Sequence, residues 1–548
     1  MKKLLTLLVC MVALHCHAAE ADYHVVPLPQ SIDNVKGDAF VLDETKKIVY
    51  QGDDAMARNA RFLSEYIAEM TRMQLQVTLA DKKNVKGNIV LALDSKITEK
   101  EGYCLDITAK GLRITGSTPA GIFYGIQTLR KSLPILKAKE AVTLPAARIT
   151  DAPRFSYRGM HLDCARHIFS VDFVKRYLDM MALHNMNRFH WHLTEDQGWR
   201  IEIKKYPKLA EVAAWRSGTT LGRNSDVDDG IRYGGYYSQA DIREIVKYAA
   251  ERYIEIIPEI DMPGHMLAVL AAYPELGCTG GPYQVGHFWG VYRDILCAGN
   301  PKTYSFIKDV LDEVCDLFPS KYIHIGGDEA PKHRWRDCPK CQAMIAKQGI
   351  KAEGKQNKED RLQGYFTSEV QKYLASKGRK VIGWDELLEC NVDASAAIMS
   401  WRGAEPGAEA AAKGHDVVMS PTSHCYFDFY QTKQQHNEPL LIGGELPIEK
   451  TYSFEPVPAN ATPETVAHIL GVQANLWTEY IICDDLAEYQ VLPRMGALCE
   501  VQWMQSDKKD YKDFLKRLEP LRKLYELKGY VYARHLWPEL YRLESRDL

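Results

Sequence analysis

Acidic residues gather at particular places in this chain. Asp163 sits in RGMHLDCARH, Glu195-Asp196 in HLTEDQGWR, Glu259, Asp261 and His265 in PEIDMPGH, and Asp328-Glu329 in HIGGDE. Asp385-Glu386 follow Trp384, Asp428 follows Tyr426, and Glu479 follows Trp477. Each group lies at the end of a short apolar, β-rich run or in the segment that it leads into. One such acid could simply cap the next helix. Seven runs of eight end this way, which capping alone does not explain. Trp384, Trp401 and Trp477 end three of the same runs, and flat apolar faces at one end of a fold suit a sugar ring or an acyl group.

Paired acids among aromatic walls fit cleavage of a glycosidic bond. That reaction needs one carboxyl kept protonated for the leaving oxygen and stabilisation of an oxocarbenium-like centre. Crowding by Asp328 and apolar rings is expected to raise the Glu329 carboxyl toward neutrality. Gly326-Gly327 is expected to let substrate approach the strand end closely. A metal-dependent hydrolase is the rival reading: His190-x-His192 puts two imidazoles on one strand face, and His265 with Asp328 could complete a centre. Against it, the histidine pair lies inside the run, ahead of Thr194-Glu195-Asp196, which favours packing or a buried hydrogen bond.

These residues need a scaffold that brings many strand ends together. The runs are Arg158 to Asp163, Arg188 to Leu193, Tyr253 to Ile260, Tyr322 to Ile325, Lys380 to Trp384, Ala396 to Trp401, Asp416 to Ser420 and Gly471 to Trp477. Helix-length segments separate most of them, which predicts a (β/α)8 barrel over residues 153–548, with chemistry at the C-terminal strand ends. An open doubly wound sheet would carry a Gly-rich phosphate turn, and none is seen. Phe514, Leu518, Leu521 and Tyr525 keep helical period and predict a closing helix over Tyr511 to Tyr532, and the charged stretch Lys347 to Arg361 reads as a solvated excursion. Residues 22–152 read as a small α+β domain without visible chemistry. Ala60, Leu63, Ile67 and Met70 recur at helical spacing there, as do Ile122, Ile126, Leu129 and Leu133, and Cys104 to Thr108 with Leu112 to Thr115 make a hairpin.

The first 21 residues have the basic start, the apolar run Leu4 to Leu14 and the small-x-small Ala19-Glu20-Ala21 of a secretory signal peptide. A lipid anchor at Cys16 is the weaker reading, because His15 stands where a small residue is expected. The 548 residues carry 69 Lys plus Arg against 72 Asp plus Glu, a net charge of −3. That balance disfavours a nucleic-acid binder. No later stretch is long and apolar enough for a membrane span. Removing Cys10 and Cys16 with the leader leaves 11 of 13 cysteines, too sparse for a disulfide scaffold. A bridge between Cys278 and Cys297 would close a loop of about 20 residues and contribute about 3 kcal/mol. Cys338-Pro339-Lys340-Cys341 has metal or redox spacing but no second CxxC partner, so a local bridge or free thiols is expected.

HIGGDE, taken with RGMHLDCARH, HWHLTEDQGWR, PEIDMPGH, IGWDE and LWTE, resembles the β-N-acetylhexosaminidases of glycoside hydrolase family 20. PLPQSI at the start of the first domain extends the resemblance over nearly the whole mature chain. The resemblance implies a retaining exo-enzyme that removes terminal β-linked N-acetylglucosamine or N-acetylgalactosamine without metal or organic cofactor. The substrate's own 2-acetamido oxygen would act as the nucleophile. Glu329 would be general acid and then base, Asp328 would orient the acetamido N–H, and the Tyr426 hydroxyl would hold its oxygen. Trp384, Trp401 and Trp477 would box in the methyl and the sugar face. Arg158, Asp428 and Glu479 would grip ring hydroxyls. His265, with Asp261 and Glu195-Asp196, would tune Glu329, and which of Glu195 and Asp196 pairs with His265 stays open because many relatives carry two aspartates there. After Asp428 the segment Leu440 to Gly444 lacks the further pocket tryptophan of some bacterial relatives, which implies a more open aglycone side. A catalytically silent, surface-displayed sugar-binding protein is the alternative of a different class.

Overall fold

The computed structural model describes residues 19–81, 84–390 and 392–542; the first 18 positions of the leader lie outside them. The chain forms two compact units, one of Pro29–Ala152 with the segment up to Val25, the other of Pro153–Leu548 with Val26–Leu28.

In the first unit, seven strands form a mixed sheet covered by the helices Asp54–Thr71 and Pro119–Ser132. Ala60, Leu63, Ile67 and Met70 are buried along the first helix, and Ile122, Ile126 and Leu129 along the second. The hairpin pairs Tyr103–Thr108 with Gly111–Gly116. Ala19–Glu20, inside the expected leader, pairs with Val142-Thr143 as a short strand.

The second unit is a (β/α)8 barrel. Its strands are β1 (Tyr157–Asp163), β2 (Arg188–His192), β3 (Glu255–Glu259), β4 (Tyr322–His324), β5 (Lys380–Trp384), β6 (Ala397–Ser400), β7 (Val417–Met419) and β8 (Ile469–Ala474), closed by β8 pairing with β1. Strand and helix alternate because each short β-branched run cannot bury both faces without a helix to cover it. The closing helix is Tyr511–Lys528, with Phe514, Leu518, Leu521 and Tyr525 buried. The eighth strand begins and ends earlier than its hydrophobicity predicts, so Trp477 lies in the loop beyond it.

The interior is layered by chemistry. Low in the barrel, Tyr157, Ile257, Tyr322, Ile382, Ala397, Met399 and Val418 pack as an apolar plug. Above it the period of two turns His190, His192, Glu259 and His324 inward, all fully buried. Glu259 meets His190 Nε2 at 2.9 Å, His192 Nδ1 at 2.5 Å and His324 Nδ1 at 3.0 Å, and accepts the Trp384 indole N–H at 2.9 Å. The HxH pair is thus engaged by a carboxylate beneath the strand ends. Donor atoms of His190 and His192 do not group with those of His265 and Asp328 among the described residues.

Cys278 and Cys297 are not bridged to one another; both are free and lie in a cluster with Cys338 and Cys341, which sequence spacing alone did not connect.

Barrel closure leaves no room at Gly471, where an added Cβ would stand 1.8 Å from the Tyr157 carbonyl oxygen. Gly471→Ala should therefore cost about 3 kcal/mol and lower Tm by several degrees in thermal denaturation; an unchanged Tm would mean the β1–β8 seam is looser than described.

Candidate active site

The strand ends open on a cavity of about 410 Å3. Its walls hold Glu195, His265, Asp328, Glu329, Trp384, Trp401, Tyr426, Asp428, Trp477 and Glu479, so most of the residues singled out from sequence come together. Asp196 and Asp261 stand just behind, within reach of His265 and Gly327 respectively.

Arg158 is the exception. It is the second residue of β1, at the opposite end of the barrel, 1% exposed and hydrogen-bonded to the carbonyls of Asn185 and Phe155. It cannot reach a ligand in the cavity. The arginine in the wall is Arg166, in the loop after β1, held by Asp163 at 3.1 Å and Glu195 at 2.7 Å. The same motif contained both, and the rule that chemistry sits at C-terminal strand ends selects Arg166.

Backbone strain sets the acid pair. Glu329 has φ +44° and His265 φ +53°, left-handed conformations that cost free energy for side-chain-bearing residues and recur at functional sites. The preceding glycines are required by the protein's own atoms. A Cβ on Gly326 would lie 1.7 Å from Asp261 Oδ1, and one on Gly327 would lie 2.7 Å from Leu387. They make room for Asp261, whose Oδ1 accepts the Gly327 N–H at 3.0 Å, and for Leu387, rather than for substrate as the sequence led us to expect.

His265 joins the charges. Its Nδ1 lies 3.0 Å from Glu195 and 3.3 Å from Asp196, and its Nε2 lies 3.7 Å from both Asp328 and Glu329. Burial opposes ionisation of Glu195, yet Arg166 and then His265 hold it well below the usual carboxylate range. Burial pushes Asp196 up, the opposite direction from Glu195, which also stands nearer to His265. Burial likewise works against the imidazolium, but Glu195 holds His265 well above its usual value.

The neighbouring acids then part company. Burial pushes Asp328 up to about 6. Contact with His265 lowers Glu329, whose side chain is 44% exposed. The expected rise at Glu329 is therefore absent from the open site, because a cation and water offset the crowding. Asp261 is raised by burial and by Asp328, and Asp428 by burial and by Glu479.

Carboxylates also fix the aromatic wall. The Trp384 indole is tied to Glu259. The Trp401 indole donates to Glu386 Oε2 at 3.0 Å and its backbone N–H to Asp385 Oδ2 at 2.9 Å. Burial pushes Glu386 up to about 8. Tyr426 stacks on Trp401 with centroids 6.3 Å apart, and burial raises its phenol so that it remains an O–H donor. Arg166 lies over Trp477 at 5.1 Å. On the rim, Trp289 and Val291 from one loop and Ile442 from the Leu440 to Gly444 segment line the opening. Sequence reasoning passed over Trp289 because it follows no strand.

The protein-family model for the glycosyl hydrolase family 20 catalytic domain matches residues 155–506, and that for domain 2 of the same family matches residues 22–152. A β-hexosaminidase of Porphyromonas gingivalis is 41% identical over 90% of this chain, which spans 62% of that protein's length. One from Vibrio furnissii is 34% identical over 87% of this chain and 76% of its own. Among solved structures, an exo-β-N-acetylglucosaminidase from Vibrio harveyi in complex with N-acetylglucosamine superposes with TM-score 0.82 at 32% identity, covering 95% of this chain and 80% of that one. The β-N-acetylhexosaminidase from Streptomyces coelicolor gives 0.80 at 31%, covering 94% and 99%. With its barrel, its acid pair and both family domains in order, this chain belongs to glycosyl hydrolase family 20.

Proposed function

We propose that the chain is a retaining exo-β-N-acetylhexosaminidase that releases terminal β-linked N-acetylglucosamine or N-acetylgalactosamine by substrate-assisted catalysis, and that the leader exports it. The carrying observation is the convergence of Asp328, Glu329 and Tyr426 with three tryptophans on one cavity of about 410 Å3, a size suited to a terminal sugar. Among the described residues no helix is long and apolar enough to cross a membrane.

In this reading the sugar lies on Trp477 and the acetamido group enters the box of Trp384, Trp401 and Tyr426. Asp328 Oδ1, buried and without a hydrogen-bond partner among the described residues, accepts the acetamido N–H, and the Tyr426 hydroxyl donates to its oxygen. Arg166, Asp428 and Glu479 meet ring hydroxyls. Bound sugar covers Glu329 and excludes water, which raises its carboxyl, while the N–H donor and the positive charge growing beside Asp328 favour its ionised form. Substrate thus reverses the proton affinities of the open site. The acetamido oxygen attacks the anomeric carbon, the glycosidic bond breaks, and its oxygen takes the Glu329 proton. Water then attacks the same carbon, giving its proton to Glu329, and two inversions leave net retention.

Glu329→Gln should lower turnover of natural glycosides by about 10²- to 10⁴-fold while binding stays near normal, read by steady-state kinetics beside product affinity; unchanged turnover removes Glu329 as the acid. The reaction needs one proton on the pair, and in the open site that proton sits on Asp328, because Asp328 is raised and Glu329 lowered. kcat/KM should therefore fall as pH rises through about 6, where the open site loses that proton. Asp328→Asn should cost about 10²- to 10³-fold and abolish that fall. A fall surviving in the variant would assign it to another group.

A further inference from the structure

Four cysteines that the reaction does not use meet where the loop carrying Trp289 and Val291 begins and ends. Cys278 and Cys297 bound a loop between the third strand and the helix Pro301–Leu317, joined at its base by the Gly277–Leu296 bridge. Cys338 and Cys341 stand where the short helix His333–Asp337 passes into Pro339–Lys347, downstream of Glu329. Their sulfurs lie 3.6 Å apart for Cys297 and Cys341, 3.7 Å for Cys297 and Cys338, and 3.9 Å for Cys278 and Cys341. All four fall within 4.8 Å of one another.

A disulfide would bring two sulfurs to about 2.05 Å, and no pair here is that close. A tetrahedron of thiolates around zinc, with bonds of about 2.3 Å, has edges of about 3.8 Å. The observed separations match that figure. Cys297 and Cys341 are fully buried, Cys338 is 5% exposed and Cys278 is partly buried, closer to a closed structural site than to an open catalytic one. The approach is enforced by the backbone, because a Cβ on Gly299 would stand 2.1 Å from the Lys340 carbonyl carbon. The same seam is held by the Asp294–Arg334 pair at 2.8 and 3.0 Å and by the Trp335 indole N–H on the Leu296 carbonyl at 2.9 Å.

We propose that Cys278, Cys297, Cys338 and Cys341 bind one zinc ion as a tetrathiolate. Binding converts four thiols to thiolates and releases their four protons, leaving a site of charge −2. The ion ties the loop that carries Trp289 and Val291 to the segment leaving Glu329, so it braces that side of the opening from outside the cavity lining. Four soft sulfur donors in a tetrahedron select zinc over hard cations such as magnesium or calcium.

The test is metal analysis of the full chain expressed with zinc and purified without chelator. About one zinc per chain is expected, released as an organomercurial titrates these thiols. A Cys338→Ser, Cys341→Ser double variant should lose metal by at least about tenfold, while Cys483→Ser, at an exposed thiol outside the cluster, keeps it. Because the double variant could misfold, the intact protein loaded with cobalt in place of zinc supplies a second readout, the intense visible bands of a tetrahedral thiolate site. Wild-type protein that takes up neither metal, with the four cysteines either joined in two disulfides on non-reducing peptide mapping or free after zinc has been offered, overturns the proposal.

Discussion

The site depends on a shortage of positive charge. Glu195, Asp196, Asp261, Asp328, Glu329, Asp428 and Glu479 crowd the strand ends, and the cations set among them are Arg166 and His265. So many buried carboxyls cannot all ionise at once. The two cations decide which do: Arg166 and His265 hold Glu195 ionised, and His265 also lowers Glu329, while Asp196, Asp261, Asp328 and Asp428 are pushed up. In the proposed reaction, a ligand that brings an N–H to Asp328 and shuts water from Glu329 would redistribute protons over short distances, without requiring a large movement of the chain.

The fold maintains that frustrated arrangement by spending backbone conformations and interior polarity on it. Left-handed Glu329 and His265, and Gly326 pressed against Asp261, fix the acids where relaxation would separate them. Beneath them, Glu259 among three histidines gives the upper barrel a paired polar layer, and through the Trp384 indole that layer sets the floor of the pocket. Removing one member would leave the others buried and unpaired, which costs more than the pair contributes.

Much of this was legible in the sequence because the barrel repeats one pattern: an apolar run, then an acid or a tryptophan, then a helix. All eight strands and the acid pair follow from it. What escaped was contact between segments far apart in the chain. Arg158 and Arg166 share one motif, and only strand direction separates a residue at the foot of the barrel from one in the pocket. The order of proton affinity at Asp328 and Glu329 turns on where His265 points. Trp289 reaches the rim from a long loop, and Cys278 and Cys297 meet Cys338 and Cys341 across about 40 to 60 residues, separations over which spacing rules say nothing.

The central claim, that the sugar's own amide closes onto its reacting carbon, is tested most directly with a stable thiazoline analogue of the cyclised N-acetylglucosamine intermediate. The account predicts competitive inhibition at least about 10²-fold tighter than by N-acetylglucosamine itself, with most of that advantage lost in Asp328→Asn. An analogue that binds no more tightly than the free sugar would contradict it.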